Sequence, residues 1–338
     1  MSRIVVFNLD ESSAGEIHAP CSRGWAINAG GQTTVDISAT DASNSWLQFG
    51  RLALVEHATL PAWCGMIDTP WGAIPPVRLS LYNAGYLLKV RSLEAAAILT
   101  GSAGSIATQL LAMANATEKL GIQMGDVDNS GGTRTEVYDM RPVWDLLIEL
   151  AGRAGMEMNL RPERGVDNHL TLYLDFKQRL GIDTGWLLHD GPNANMEITD
   201  AQVDGEIWNR MIGISDQSSK SSRLTTPPTG VPDSISTYRL RSTVQQFSGA
   251  TSLSVLQDNV NAALTAPLIG ASKPHLILTV KVMESAFSYL RLGNSLVIQA
   301  ANLWLPGGGH GWRGVMRITA MAYDESDNTV SMTLKGDL

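Results

Sequence analysis

Short stretches in which apolar and polar residues alternate crowd both ends of the chain, and this period of two limits the possible folds more than any other feature. Near the C-terminus Val330, Met332 and Leu334 alternate with Ser331, Thr333 and Lys335, and HLILTVKV, SLVIQAANLWL and GVMRITAMAY come before them. Successive side chains of a strand point to opposite faces, so each segment buries one face and leaves the other to solvent. Four such strands, the last pair joined by the turn DESDN, predict an antiparallel barrel or sandwich over 271–338. The first 95 residues behave alike. Val35 and Ile37 face one way, Thr34, Asp36 and Ser38 the other, Leu52 and Leu54 repeat the pattern, and Trp25, Trp46, Trp63 and Trp71 punctuate the strands.

Between these ends the period changes to that of a helix. In SIATQLLAMANATEKLG the apolar residues Ile106, Leu110, Leu111 and Ala114 hold one stripe, Ser105 or Ser102 caps the start, and Gly121 stands where a terminal glycine belongs. RPVWDLLIELAGRAG opens with Pro142, carries Val143, Trp144, Leu147, Ile148 and Leu150, and stops at Gly152 or Gly155. A hairpin follows, with Met156, Met158 and Leu160 on one strand, a turn at GVDN, and Leu170, Leu172, Leu174 and Phe176 on the other. A strand around EIWNRMIGIS precedes a Ser, Thr and Pro-rich loop at 217–236. That loop is longer than most internal loops and reads as a mobile excursion or a segment that orders on assembly. A third helix runs from Thr251 or Ser252 to Pro267, with Leu253, Leu256, Val260 and Leu264 inward. The predicted fold class is α+β and mostly β. Its divisions are an N-terminal β module (1–95), an α+β insertion (96–195), a return strand with loop and helix (196–270) and a C-terminal β-barrel (271–338).

Charge narrows the function. The 338 residues carry 25 Lys plus Arg against 33 Asp plus Glu, a net charge of -8, and no basic block. Gripping a phosphate backbone draws on clustered Lys and Arg, so nucleic acid binding is disfavoured. Charged residues are 17% of the chain, below the roughly 25% usual for globular domains, as fits a surface largely covered by neighbours. No signal peptide is readable and no apolar run is long enough to span a bilayer, which predicts a soluble chain made in the cytoplasm, without membrane insertion. Cys21 and Cys64 stand outside any paired-cysteine motif and read as small buried hydrophobes.

The segments that resemble chemical motifs fall short of them. LPGGGHGWRG (305–314) is glycine-rich like a phosphate loop, but a strand rather than a helix follows at Val315, so no helix N-terminus would meet an anion. It reads as the tip of a β-hairpin, and His310 has no ligand partner at useful spacing. GDVDNSGGTRTEV places Asp126, Asp128, Ser130 and Gly131 like the start of a calcium loop, but Glu136 falls one position early and Thr133 occupies the usual apolar position. TGSAGSIA lacks the spacing of a nucleophile elbow, and Glu56 and His57, adjacent on a strand, point to opposite faces. No catalytic, cofactor-binding or metal residue is assigned. The nine Trp keep a β-rich carbohydrate-binding protein or glycosidase as a rival, since acid pairs from distant strands leave no local spacing to read.

The order of elements resembles the tail hub proteins of tailed phages. The resemblance rests on WLQFGRLALVEH and WCGMID, AGYLLKVRSLE as a strand leading into a helix, EIWNRMIGIS as a strand, YRLRSTVQQF before a helix, and YLRLGNSLVIQ with GVMRITAMAYD in the closing barrel. Trp63, Gly65 and Ile67 match the family's aromatic-x-Gly-x-Ile strand, and Asn209 with Arg210 its Asn-Arg strand. Tyr238 with Arg241 partly match a Tyr-Gly-x-Arg-Glu segment, and Gly293 with Asn294 a Gly-Asp turn. Arg239 stands where a glycine is common, Ser242 where an acid is common, and Asn294 replaces Asp.

The resemblance implies two tube-forming β domains per subunit and a homotrimer whose pseudo-sixfold ring caps the tail tube in the virion, after assembly in the host cytoplasm. Implied partners are the tail tube or distal tail protein, the tape measure protein and spike or tail fibre proteins. DNA would pass through an acidic lumen without specific binding. No cofactor and no enzymatic role are implied, and with the last strand ending near Leu338 no hydrolase or receptor-binding extension is expected. A hub of a phage-derived injection machine is the near alternative.

Overall fold

The computed structural model describes residues 2–68, 77–116, 118–129, 132–191, 194–204, 207–215, 223–247, 250, 252–265, 271–283, 287–288, 290–304 and 310–337. Trp71, Ser130, Gly131, Thr251, Pro267 and residues 217–222 of the expected loop lie outside them.

Strands β1 (Ser2–Phe7), β2 (Ser13–Ala19), β4 (Gln32–Ile37), β5 (Leu52–Glu56), β6 (Trp63–Ile67) and β7 (Val77–Asn83) form a six-stranded antiparallel sheet in the order β2-β1-β5-β6-β7-β4. Between them lie β3 (Arg23–Ala26) and the short helix α1 (Ala39–Ala42). The sheet is covered on both faces, which explains why IVVF does not alternate in hydropathy. Ile4 and Val6 pack with Val35, Ile37, Val55, Trp63 and Leu81, while Val5 and Phe7 pack with Leu54 and Cys64 against the inserted helices. Each such fully buried aliphatic contributes about 1.5–3 kcal/mol.

The insertion holds α2 (Tyr86–Lys89), β8 (Ala97–Gly101), α3 (Ala103–Ala114), β9 (Ile122–Val127), β10 (Arg134–Tyr138), α4 (Val143–Ala154), β11 (Glu157–Arg164) and β12 (Leu170–Lys177). The strand expected at AGYLLKVRSLE is instead the short helix α2, while the expected hairpin is β11–β12, and β9 joins it in parallel beside β12. The Ser102 hydroxyl caps α3 by accepting the N–H of Ser105. The helix stops at Asn115 rather than running to Gly121, because the Asn115 side chain donates to the carbonyls of Leu111 and Ile122 and accepts the N–H of Leu120. Helix α4 ends as expected on left-handed Gly155.

Strands β13 (Asp183–Asp190) and β14 (Met196–Asp204) then enter a second sheet with β18 (His275–Met283), β19 (Ser295–Trp304), β20 (His310–Asp324) and β21 (Thr329–Asp337), in the order β13-β19-β20-β21-β18-β14. β3 adds to β20, making seven strands. The barrel therefore draws two strands from 183–204, far upstream of its four closing strands, and β13 pairs β19 in parallel. Leu276, Leu278, Val280, Ile298, Met316, Met332 and Leu334 fill its interior.

Between β14 and β18 a small unit carries β15 (Arg210–Ser215), β16 (Thr229–Gly230), α5 (Pro232–Tyr238), β17 (Ser242–Phe247) and α6 (Leu253–Thr265). The stretch from 223 on, expected as part of a mobile excursion or of a segment that orders on assembly, is ordered within the single chain. Thr225 bridges Ile214, Thr226 and Ser234 are buried, and Pro232 starts α5 at the position where its missing N–H costs nothing. On α6 Leu253 is exposed and Val255 takes the inward place.

Two polar seams tie these parts together. At the first, Arg317 of β20 forms a bidentate pair with Glu157 of β11 at 2.6 and 2.7 Å and donates to the carbonyls of Leu180 and Gly293. Gly181 (φ 71°) and Gly293 (φ 82°) meet there backbone to backbone, so a Cβ on either would overlap the other segment. At the second, the Glu325 carboxylate accepts the N–H of Cys21 at 2.6 Å and the hydroxyl of Ser2 at 2.7 Å, joining the last hairpin to β1.

Gly181→Ala is expected to destabilise the chain by more than the roughly 1–2 kcal/mol of a left-handed alanine, because overlap adds to it; an unchanged urea midpoint would contradict this. Burial pushes the Glu325 carboxyl up, but the hydrogen bond from the Cys21 N–H, the N-terminal positive charge and the Ser2 hydroxyl together outweigh it and hold it below the ordinary value of 4.5. Its contribution to stability is thus present above that value and lost as pH falls through the lowered one. The Tm gap between the native chain and Glu325→Gln should be widest near about pH 6 and close towards about pH 3.

Candidate assembly surfaces

The residues singled out for chemistry are dispersed. Among the described residues no three His, Cys, Asp or Glu side chains are gathered as a metal site. Asp126 faces Lys177 at 3.3 Å, while Glu136 is fully buried between Arg153 (2.9 Å) and Arg134 (3.7 Å) on the inner face of β10. Burial raises the Glu136 carboxyl despite both guanidinium groups. Glu56, the last residue of β5, pairs with Arg3 and Arg164, whereas His57 lies just past the strand with its ring 5.2 Å from that of Tyr323, so the two neighbours have separate surroundings. Cys21 and Cys64 are both buried and unpaired, and burial pushes the Cys21 thiol up to about 11.

The glycine-rich stretch borders a hairpin. Trp304 of β19 pairs with His310 of β20, their rings 4.9 Å apart, and residues 305–309 between them lie outside the described set. Trp312 turns its ring over Gly314, where any Cβ would overlap it. Trp63 and Gly65 of β6 make the same arrangement in the N-terminal sheet, and the Trp63 indole donates to the Gly24 carbonyl at 3.0 Å. The aromatic-x-Gly pair thus has a packing reason. Residues two apart share a face, and a bulky ring folded along the strand needs a bare Cα beside it.

Asn209 has an equally definite role. It is fully buried, its amide donates to the Arg239 carbonyl at 2.7 Å, and its side-chain oxygen accepts the Arg241 N–H at 2.8 Å. One side chain therefore fixes the turn that leads from α5 into β17. Arg239 sits in that turn with φ 63° and ψ 164°, a region nearly restricted to glycine, at the position where glycine is common in the proteins the sequence resembles.

What remains uncovered is apolar and edge-like. On the two-stranded ribbon β8–β10 the alternation is inverted: Arg134, Glu136 and Tyr138 face the protein, while Ile98 (71% exposed) and its cross-strand partner Val137 (46%) face outward. Met140, just past β10, is also exposed. On β14 every residue from Thr199 to Asp204 is exposed, on both faces. A cleft of about 890 Å³ lies between the barrel and the α5–α6 unit, and its cations are matched by acids: Arg179 pairs with Asp183, and Lys273 with Asp337. These surfaces can bury strand edges and apolar area against other chains. Sequence periodicity missed the ribbon and β14, the first because its charged face points inward, the second because MEITDAQVD has little alternation.

No known family profile and no curated protein matches the sequence. Solved structures do match. A prophage tail protein, gp18, of Listeria monocytogenes EGD-e is 15% identical with a TM-score of 0.61, covering 99% of this chain and 94% of that one. A tail protein of Neisseria meningitidis MC58 is 13% identical with a TM-score of 0.59, covering 99% and 96%. The 43 kDa tail protein of prophage MuSo2 from Shewanella oneidensis is 11% identical with a TM-score of 0.57, covering 98% and 97%. An E. coli component of the type VI secretion system, described as similar to the T4 tail proteins gp27 and gp5, is 10% identical with a TM-score of 0.52, covering 94% and 74%. The chain has the fold of these proteins over nearly its whole length.

Arg239→Gly is expected to raise stability by about 1 kcal/mol. Release of roughly 1–3 kcal/mol of backbone strain is partly offset by about 0.4–1 kcal/mol of added entropy in the unfolded chain. Asn209→Ala should lower it by about 1–3 kcal/mol, since it strips partners from two backbone groups. Chemical denaturation of both variants checks the pair, and a destabilised Arg239→Gly would contradict the assignment of strain.

Proposed function

We propose that this chain, which carries a phage-tail fold, is a tail hub: a structural virion protein that caps the distal end of the tail tube as a homotrimer. In this reading its two β domains alternate around a pseudo-sixfold ring, adapting the sixfold tube to a threefold tip, and the tape measure protein and the spike or fibre proteins attach to it. The observation that carries the proposal is the reciprocal full-length fold match to tail proteins, 99% of this chain against 94% or more of two of them. The open edges and outward apolar ribbon support it, since a ring subunit leaves such surfaces for neighbours. The net charge of -8 also suits a channel through which DNA slides without sticking. A hub of a phage-derived injection machine is the second reading, favoured by the shared fold of the type VI secretion component.

Both readings predict a ring. Analytical ultracentrifugation at micromolar concentration, followed by negative-stain electron microscopy classified without imposed symmetry, should give trimers with an open centre. Uniform monomers across the whole concentration range would remove the ring. Co-purification with a phage tail tube protein or with a secretion tube protein separates the two readings.

A further inference from the structure

The barrel is left open along one seam. β14 is the last strand of its sheet, paired with β18 on one edge and with nothing on the other among the described residues. Ala201 and Val203 stand opposite Leu278 and Leu276 in that ladder, on the side where the partner residues form the core. Leu276 and Leu278 are fully buried, yet Ala201 is exposed and Val203 is 39% exposed. A nine-residue strand with uncovered core-facing positions and a free edge is a template for another strand.

Its charges restrict what can add. Glu197, Asp200 and Asp204 are its only ionisable residues, and Asp204 has Lys335 within 3.8 Å. A twofold pairing of β14 with itself would set an acidic edge against an acidic edge, and like charges across a ladder destabilise it. The chain offers a better edge in β17, the last strand of its own sheet and free on its outer side among the described residues. β17 carries no charge, Val244 is 61% exposed, and the residues leading into it include exposed Arg239 and Arg241, which the Asn209 clamp holds in place.

We propose that β14 of one copy receives β17 of a second copy. The contact is head-to-tail, acidic edge to basic-flanked edge, with Ala201 and Val203 covered by the incoming strand. Because the two surfaces differ, the contact propagates head to tail rather than closing as a twofold dimer, and it forms a ring where the rotation between copies closes. This rests on the ring proposed above and identifies which edges make it.

Charge exchange in the full-length chain tests it. Asp200→Lys with Asp204→Lys should weaken association about tenfold or more, as should Arg239→Glu with Arg241→Glu. A chain with all four substitutions should return to within about threefold of the native constant, because every interface then regains opposite charges. Hydrogen exchange at the amides of 199–204 should slow when the native chain assembles. An oligomer whose association constant is unmoved by either pair, or is not rescued by the four, overturns the β14–β17 contact and leaves the ring standing. So does an oligomer in which the 199–204 amides stay unprotected. A native chain that is monomeric at every concentration overturns both.

Discussion

The Arg317–Glu157 pair is the interaction on which the rest of the arrangement depends. The chain leaves the inserted hairpin at Lys177 and must cross into the barrel by Asp183. At that crossing the guanidinium holds Glu157 of the insertion, the Leu180 carbonyl of the crossover and the Gly293 carbonyl of the barrel. A buried pair of this kind adds little net stability compared with an apolar substitute, but losing one partner strands a charge, at a cost of about 3–5 kcal/mol. Its consequence is therefore geometric. Gly181 and Gly293 bring two backbones to a distance no side chain permits, Asn294 accepts the Ile182 N–H, and β13 is delivered to β19 in parallel rather than antiparallel order. An Asn at 294 serves the turn with its side-chain oxygen, the part of the group an Asp would also present.

Much of this fold was legible because burial here follows period. The alternation in β4, β11, β12 and β21 places the same residues inward in the sequence and in the structure, and Gly155 ends α4 in the left-handed conformation its position calls for. Legibility fails where side chains, not periodicity, decide. Asn115 ends α3 through three hydrogen bonds, which a count of apolar residues does not contain. β10 buries its charges because Glu136 has Arg153 from α4 above it, a partner seventeen positions away in sequence but unreadable from the strand itself. The strand β14 carries little pattern because both of its faces are exposed from Thr199 to Asp204. The polar loop was misread in part for a related reason: Thr226 and Ser234 are buried through hydrogen bonds to Gly213 and Ser272, so low hydropathy there signals a polar contact rather than disorder.

The positions that carry the family resemblance turn out to be places where backbone geometry is demanding, not places of chemistry. Trp63 needs Gly65, Asn209 fixes residues 239–241, and Gly293 allows the crossover. Such requirements involve a handful of residues and leave the remaining surface free to vary. A chain can then keep a fold over 99% of its length at 15% identity, as it does with the Listeria prophage protein. The candidate surfaces were less readable than the fold for the same reason, since an exposed edge or ribbon face is held by few contacts within its own chain.

Arg239 shows how the two kinds of constraint meet. A residue with a Cβ in a glycine region persists only where its surroundings over-determine the turn, and Asn209 provides that hold from below while the side chain projects into solvent. Glycine at this position would serve the backbone alone. Arginine keeps the turn at a cost in strain and places a cation at the approach to β17, the free edge of the small unit. In the proposed β14–β17 contact that cation would face the acidic edge of a second copy, which is what would offset the strain.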